Sequence, residues 1–206
     1  MTAIGWSKLA VFPACLIPLA HLALAARQGN LGANPLEVIT HTTGDWTIRF
    51  LLITLSITPL RQLSKQYWLI QHRRMLGLFA FFYGTLHLTT YLWFDKFFHG
   101  RAILDDVGQR KFITVGFLGF VLMIPLAITS TKEMIRRLGK RWTAIHRLLY
   151  VSATAGVIHY YWLVKADHRL PLTYGAILVV LLAYRLAKWA APKLAAARVA
   201  TASRNA

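Results

Sequence analysis

Along this chain hydrophobic residues come in long runs, rather than in strand-like alternation or one-sided stripes. Six runs stand out: Leu9–Ala26, Trp46–Leu60, Leu76–Phe94, Phe112–Thr129, Ile145–Val164 and Leu172–Trp189. Most approach the ~20 residues a helix needs to cross a ~30 Å hydrocarbon core. The second is short, and its one charge, Arg49, lies near its start. Lipid offers no partner for an open backbone, so each run is read as a helix. The pattern predicts an all-α polytopic membrane protein: a six-transmembrane-helix bundle over residues 1–192 and a basic tail over 193–206. In the first run Ala23-Leu24-Ala25 has the form of a signal cleavage site, but Lys8 alone supplies a basic flank and the run is long for a signal. It is read as a retained anchor, kinked near Pro13 and Pro18. The segments Arg27–Asp45 and Asp95–Lys111 read as the longer outer loops, and no internal repeat is convincing.

Composition supports the membrane reading, with 56% hydrophobic residues and only 15% charged ones. A net charge of +17 in a soluble protein would suggest nucleic acid. Its distribution here argues otherwise. With the N-terminus inside, Lys8, Arg61–Arg74, Lys132–Arg147 and the tail from Arg185 hold sixteen of the 24 Lys and Arg residues but one acid, Glu133. The other side holds the remaining six acids. Basic loops stay on the cytoplasmic side, so both termini are expected there, against anionic lipid and not nucleic acid. The single cysteine, Cys15, excludes an internal disulfide, an iron–sulfur cluster and a cysteine zinc site. Neither a dinucleotide fingerprint nor a P-loop occurs, so any reductant is a separate molecule.

The candidate chemistry lies in three histidines within or beside the apolar runs. An imidazole at membrane depth is a functional candidate unless a neighbour satisfies it. His87 lies 13 residues beyond Arg74, and His159 12 residues beyond Arg147. At 1.5 Å per residue the two sit about 20 Å and about 18 Å from the same boundary. Two imidazoles at one level on separate helices are what an axially bis-ligated haem requires. The alternative is two separate histidines, each bonded to a carbonyl or hydroxyl. His146 is placed at the inner boundary, where it either pairs with His72 around a second haem or contributes to a quinone or flavin site. For His72, in the basic stretch Gln71-His72-Arg73-Arg74, a solvated interfacial role is expected. His21, His41, His99 and His168 read as surface histidines. Tyr91, Tyr160 and Trp162 read as packing or aromatic-belt residues.

Several stretches carry a family resemblance: Gly77 to Tyr91 (G-L-F-A-F-F-Y-G-T-L-H-L-T-T-Y), Ile57-Thr58-Pro59-Leu60, Leu138-Gly139-Lys140-Arg141-Trp142 with His146, Ile158-His159-Tyr160-Tyr161-Trp162, and Val164-Lys165. From about residue 6 to 190 the chain resembles the MsrQ family, also called YedZ, within the ferric-reductase-like transmembrane group. The resemblance implies a haem b electron-transfer subunit in the bacterial inner membrane, with FMN as a further cofactor. Such a protein takes electrons from the quinone pool or a flavin reductase. It passes them to a periplasmic molybdopterin enzyme, MsrP, which repairs methionine sulfoxide in proteins. Carried over by residue, haem association falls on His87, His146 and His159, and the family's paired arginines on Arg73 and Arg74. Lys140 and Arg141 join that pair as candidates for an inner flavin or quinone site. Two other readings stay open: a stand-alone ferric or cupric reductase using Asp95, His99, Asp105 and Asp106, and a small transporter with structural histidines.

Overall fold

The computed structural model describes the backbone of residues 3–202 and, within it, the side chains of residues 5–94 and 96–192. Met1, Thr2 and the last four residues of the expected basic tail lie outside the described residues. Six long helices dominate: α1 (Ala3–Arg27), α2 (Pro35–Ser64), α3 (Arg73–Thr90), α5 (Lys111–Ile128), α8 (Leu148–Leu163) and α9 (Arg169–Ala202). Shorter helices α4 (Gly100–Gln109), α6 (Lys132–Leu138) and α7 (Lys140–Ile145) fill the connections. No strand occurs among the described residues. The all-α class follows, and each long helix contains most of one hydrophobic run. By length and composition, four segments suffice to cross a membrane: Gly5–Arg27, Arg73–Phe94, Lys111–Ile128 and Arg169–Pro192. Helix α2 carries Glu37, Asp45, Arg49 and Arg61, and α8 has 16 residues.

Two helical hairpins form the centre, α2 packing chiefly on α3 and α5 on α8. The α2–α3 seam stacks Phe50 between Phe79 and Tyr83, at centroid distances of 5.8 and 5.4 Å. The α5–α8 seam uses small residues instead, and Ser152 donates to the Gly119 carbonyl at 2.8 Å. Small side chains let two backbones approach where lipid gives no hydrophobic drive to association. The surface is inverted relative to a soluble protein. Ile17, Leu172, Val179 and Val180 are all exposed, as lipid-facing positions are.

The segments expected as outer loops are largely helical. Asn34 caps the start of α2 by accepting from Glu37 N–H, with Pro35 at the first helical position, so the helix begins eleven residues before Trp46. The second segment contains α4, whose Asp106 accepts from Lys96 Nζ (2.6 Å), Tyr91 Oη (3.1 Å) and Arg110 Nε (3.3 Å). Those contacts tie α4 to the end of α3.

Helix α1 passes Pro13 and Pro18 without a break. A proline lacks the N–H that its turn needs and crowds the carbonyl four residues back. Tyr83 of α3, buried to 1% exposure, reaches into that turn. Leu19 N–H donates to its hydroxyl at 3.2 Å, and the hydroxyl donates to the Cys15 carbonyl at 2.9 Å. Leu19 and Cys15 are an i, i−4 pair, so the phenol is inserted into one rung of the helix ladder. Tyr83→Phe leaves an amide and a carbonyl without that bridge, an expected loss of about 1–3 kcal/mol. A lowered thermal midpoint of the detergent-purified protein checks this; an unchanged midpoint would mean that the rung closes directly.

Candidate functional site

His87 and His159, from the two different hairpins, meet inside the bundle. Their ring centroids are 6.1 Å apart and their planes cross at 75°. Each ring is held by a backbone carbonyl of its own hairpin. His87 Nδ1–H donates to the Thr40 carbonyl on α2 at 2.9 Å, and His159 Nδ1–H to the Phe112 carbonyl on α5 at 2.7 Å. A carbonyl only accepts, so both Nδ1 atoms carry the proton and both Nε2 atoms keep their lone pair. This is the arrangement of a metal-bound histidine, whose second nitrogen is tied down by an outer partner.

The spacing fits a metal between the rings. With metal–nitrogen bonds of about 2.0–2.1 Å and about 1.1 Å from nitrogen to ring centre, two imidazoles on opposite sides of one ion have centroids about 6.2 Å apart. Around them lies a cavity of about 340 Å³, lined mainly by apolar side chains and by Gly84, Gly116, Gly119 and Gly156. An apolar, glycine-lined cavity between two imidazoles suits a flat macrocycle. Its polar lining includes His41, Asp45 and Arg110. Asp45 is paired with Arg49 at 3.4 Å, and Arg49 Nε donates to Tyr174 Oη at 2.8 Å while lying 5.0 Å over Trp46.

His146 lies at a second cavity, of about 180 Å³, together with Arg73, Arg74 and Trp142. Its ring stacks on Trp142 at 3.8 Å and its Nδ1–H donates to the Trp142 carbonyl at 3.1 Å. Lys140 and Arg141 are exposed and do not line this cavity. His146 also falls in a turn between α7 and α8, so it does not continue the helix of His159.

His72 departs from expectation. It is 3% exposed, with Nε2 3.2 Å from Ser7 Oγ of α1 and its ring edge-on to Trp68, and it does not line the cavity of His146. Helix α1 covers it, which the local sequence could not show. His41 is exposed, as a surface histidine should be, and it also lines part of the larger cavity. The signal available was its position one helical turn before Asp45, once α2 is known to start at Pro35.

The chain has relatives in sequence among known proteins. The family model described as "Ferric reductase like transmembrane component" matches residues 43–157, and the chain is accordingly a multi-pass membrane protein of the ferric-reductase-like class. Curated relatives narrow this further. One from Herminiimonas arsenicoxydans is 57% identical over 87% of this chain and 84% of its own length; one from Azospira oryzae is 50% identical over 87% and 78%. A third, from Xanthomonas campestris, is 48% identical over 88% and 86%. All three bear the name protein-methionine-sulfoxide reductase heme-binding subunit MsrQ. The chain belongs to the MsrQ family. No solved structure matches it.

Between α3 and α4, the Lys96 ammonium beside Asp106 holds that carboxyl below the ordinary range, with Tyr91 and Arg110 adding to the effect. A depressed carboxylate stabilises the fold above its unfolded-state pKa, about 3.9, and the contribution is lost as pH falls through the lower folded-state value. The α3–α4 clasp is therefore expected to hold through neutral pH and to open only below about pH 4. Amide exchange over residues 96–110 checks this. Wild type should gain exchange on acidification, and Asp106→Asn should exchange quickly at every pH.

Proposed function

We propose that this chain is a haem b electron-transfer subunit of a methionine sulfoxide reductase system. It carries electrons from the quinone pool, or from a flavin reductase, to a periplasmic molybdopterin enzyme of the MsrP type, which reduces methionine sulfoxide in proteins. The observation that carries this reading is the pair His87 and His159, each with Nδ1–H committed to a carbonyl and with centroids 6.1 Å apart. The name borne by its relatives, heme-binding subunit, agrees with it.

A bound haem would supply one-electron iron redox chemistry. The chain's own residues do the rest. His87 and His159 would hold the haem through Nε2, and the Thr40 and Phe112 carbonyls fix their ring orientation. The apolar lining keeps water from the metal, while Asp45, Arg49 and Arg110 provide fixed charge at the outer side of the cavity. At the other end, Arg73 and Arg74 beside His146 offer cationic donors to a flavin phosphate, as of FMN, or to a quinone head group. One imidazole lines that inner cavity among the described residues, which favours a donor site there over a second bis-histidine haem. In this reading the chain makes six spans in the bacterial inner membrane over residues 1–192, with 193–206 as a basic tail, and the one-sided distribution of Lys and Arg supports cytoplasmic termini.

Pyridine-haemochrome quantification and a reduced-minus-oxidised spectrum test this reading on detergent-purified protein. Wild type is expected to hold b-type haem. His87→Ala and His159→Ala should each lose it. His146→Ala should keep the outer haem but slow its reduction by quinol or by a flavin reductase at least tenfold. Wild type without haem, after haem-sufficient expression, sinks the proposal. Oxidation of the reduced protein by a purified MsrP-type enzyme tests the acceptor.

A further inference from the structure

The two histidines are seated by the same device used twice. On α2 the accepting carbonyl is Thr40 and the residue four places on is Gly44; on α5 they are Phe112 and Gly116. Each carbonyl lies 47 residues before its histidine. On the histidine helices, Gly84 and Gly156 each precede the ligand by three positions and line the cavity. Every member of the first set is 72 positions from its counterpart in the second: Thr40 and Phe112, Gly44 and Gly116, Gly84 and Gly156, His87 and His159. The surrounding sequence does not align, so the offset gains its meaning only from the hydrogen bonds in the structure.

The reason for glycine is steric. In an α-helix a carbonyl faces the N–H four residues on, and that residue's side chain flanks the oxygen. A second hydrogen bond to the same oxygen, from an imidazole on a neighbouring helix, needs that flank open. A Cβ at Gly44 would lie 3.0 Å from His87 Nδ1 and 3.1 Å from its Cε1. A Cβ at Gly116 would lie 2.5 Å from His159 Nδ1 and 2.9 Å from Cε1 and Cγ, which leaves the ring no room where it stands.

We infer that Gly44 and Gly116 are positioning residues: backbone notches that seat the two imidazoles against the Thr40 and Phe112 carbonyls and so set the crossed ring planes presented to the metal. The inference rests on the haem reading above and adds residues and a spectroscopic consequence to it. Imidazole planes crossed at 75° give ferric haem a highly anisotropic low-spin paramagnetic signal. Filling a notch rotates or retracts the ring, which changes the signal and the midpoint potential together.

The experiment uses the full chain in detergent, comparing wild type, Gly44→Ala, Gly116→Ala and Gly175→Ala by haem content, electron paramagnetic resonance, redox titration and thermal midpoint. Gly175 is the control, because a Cβ there meets Val157 at an ordinary 3.5 Å. Gly116→Ala is expected to lose haem several-fold or to convert much of the low-spin signal to high-spin. Gly44→Ala, with the milder contact, should keep its haem but show reduced anisotropy and a shifted potential. Gly175→Ala should match wild type. Alanine is the better helix former, so without the notches both variants would be at least as stable as wild type and spectrally identical to it. That result, in a wild type that does hold haem, overturns the notch inference alone. Should Gly116→Ala fail to accumulate, an unaltered signal and potential in Gly44→Ala still overturns it. Wild type without haem overturns the haem reading and this inference together.

Discussion

An imidazole N–H at membrane depth must find an acceptor inside the protein, because lipid supplies none. The architecture around the cavity follows from how that requirement is met. The acceptors are helix carbonyls, Thr40 for His87 and Phe112 for His159. A helix carbonyl is reachable from outside its own helix only at close approach, and close approach needs small residues. Hence α2 lies tightly against α3, and α5 against α8, with glycines at the points of contact. The two hairpins then bring the rings together from opposite sides and leave the cavity between them.

Other polar contacts keep this centre in register. Arg185 of α9 donates to the Leu55 carbonyl of α2 at 2.6 Å and lies over the Tyr150 ring of α8, tying three helices together. Arg49 does the corresponding work nearer the start of α2, linking Asp45 on its own helix to Tyr174 on α9. Tyr83 secures α1 by entering its hydrogen-bond ladder. In each case a polar side chain sits at depth because another element needs what it offers. These contacts explain why α2 can carry charges that would otherwise disfavour it as a buried helix.

Much of the site was legible because helical rise is nearly constant. Counting residues from Arg74 and Arg147 places His87 and His159 at one level whatever the surrounding packing, and the structure brings them together. The histidine that was misjudged is one whose setting depends on another element. His72 looked solvated among arginines, yet α1 and Trp68 enclose it. His41 is exposed, as read, but on an Asn-capped, Pro-started helix that also brings it to the cavity lining. Gly44 and Gly116 gave no signal at all, since a lone glycine in an apolar run is common and its meaning depends on what packs against it.

The sequence by itself determined the class: six apolar runs, a one-sided distribution of Lys and Arg, and two histidines at matched depth. Those properties follow from solvent preference and from fixed helix geometry, and both act locally along the chain. Only the tertiary structure decided which helix faces which, that each imidazole is seated on a glycine notch, and that the glycines and histidines spaced 72 positions apart form two like seats. Such facts depend on Cβ-scale clearances between segments dozens of residues apart. Hydrophobicity and periodicity do not carry that information, because an alanine would have served the isolated helix better.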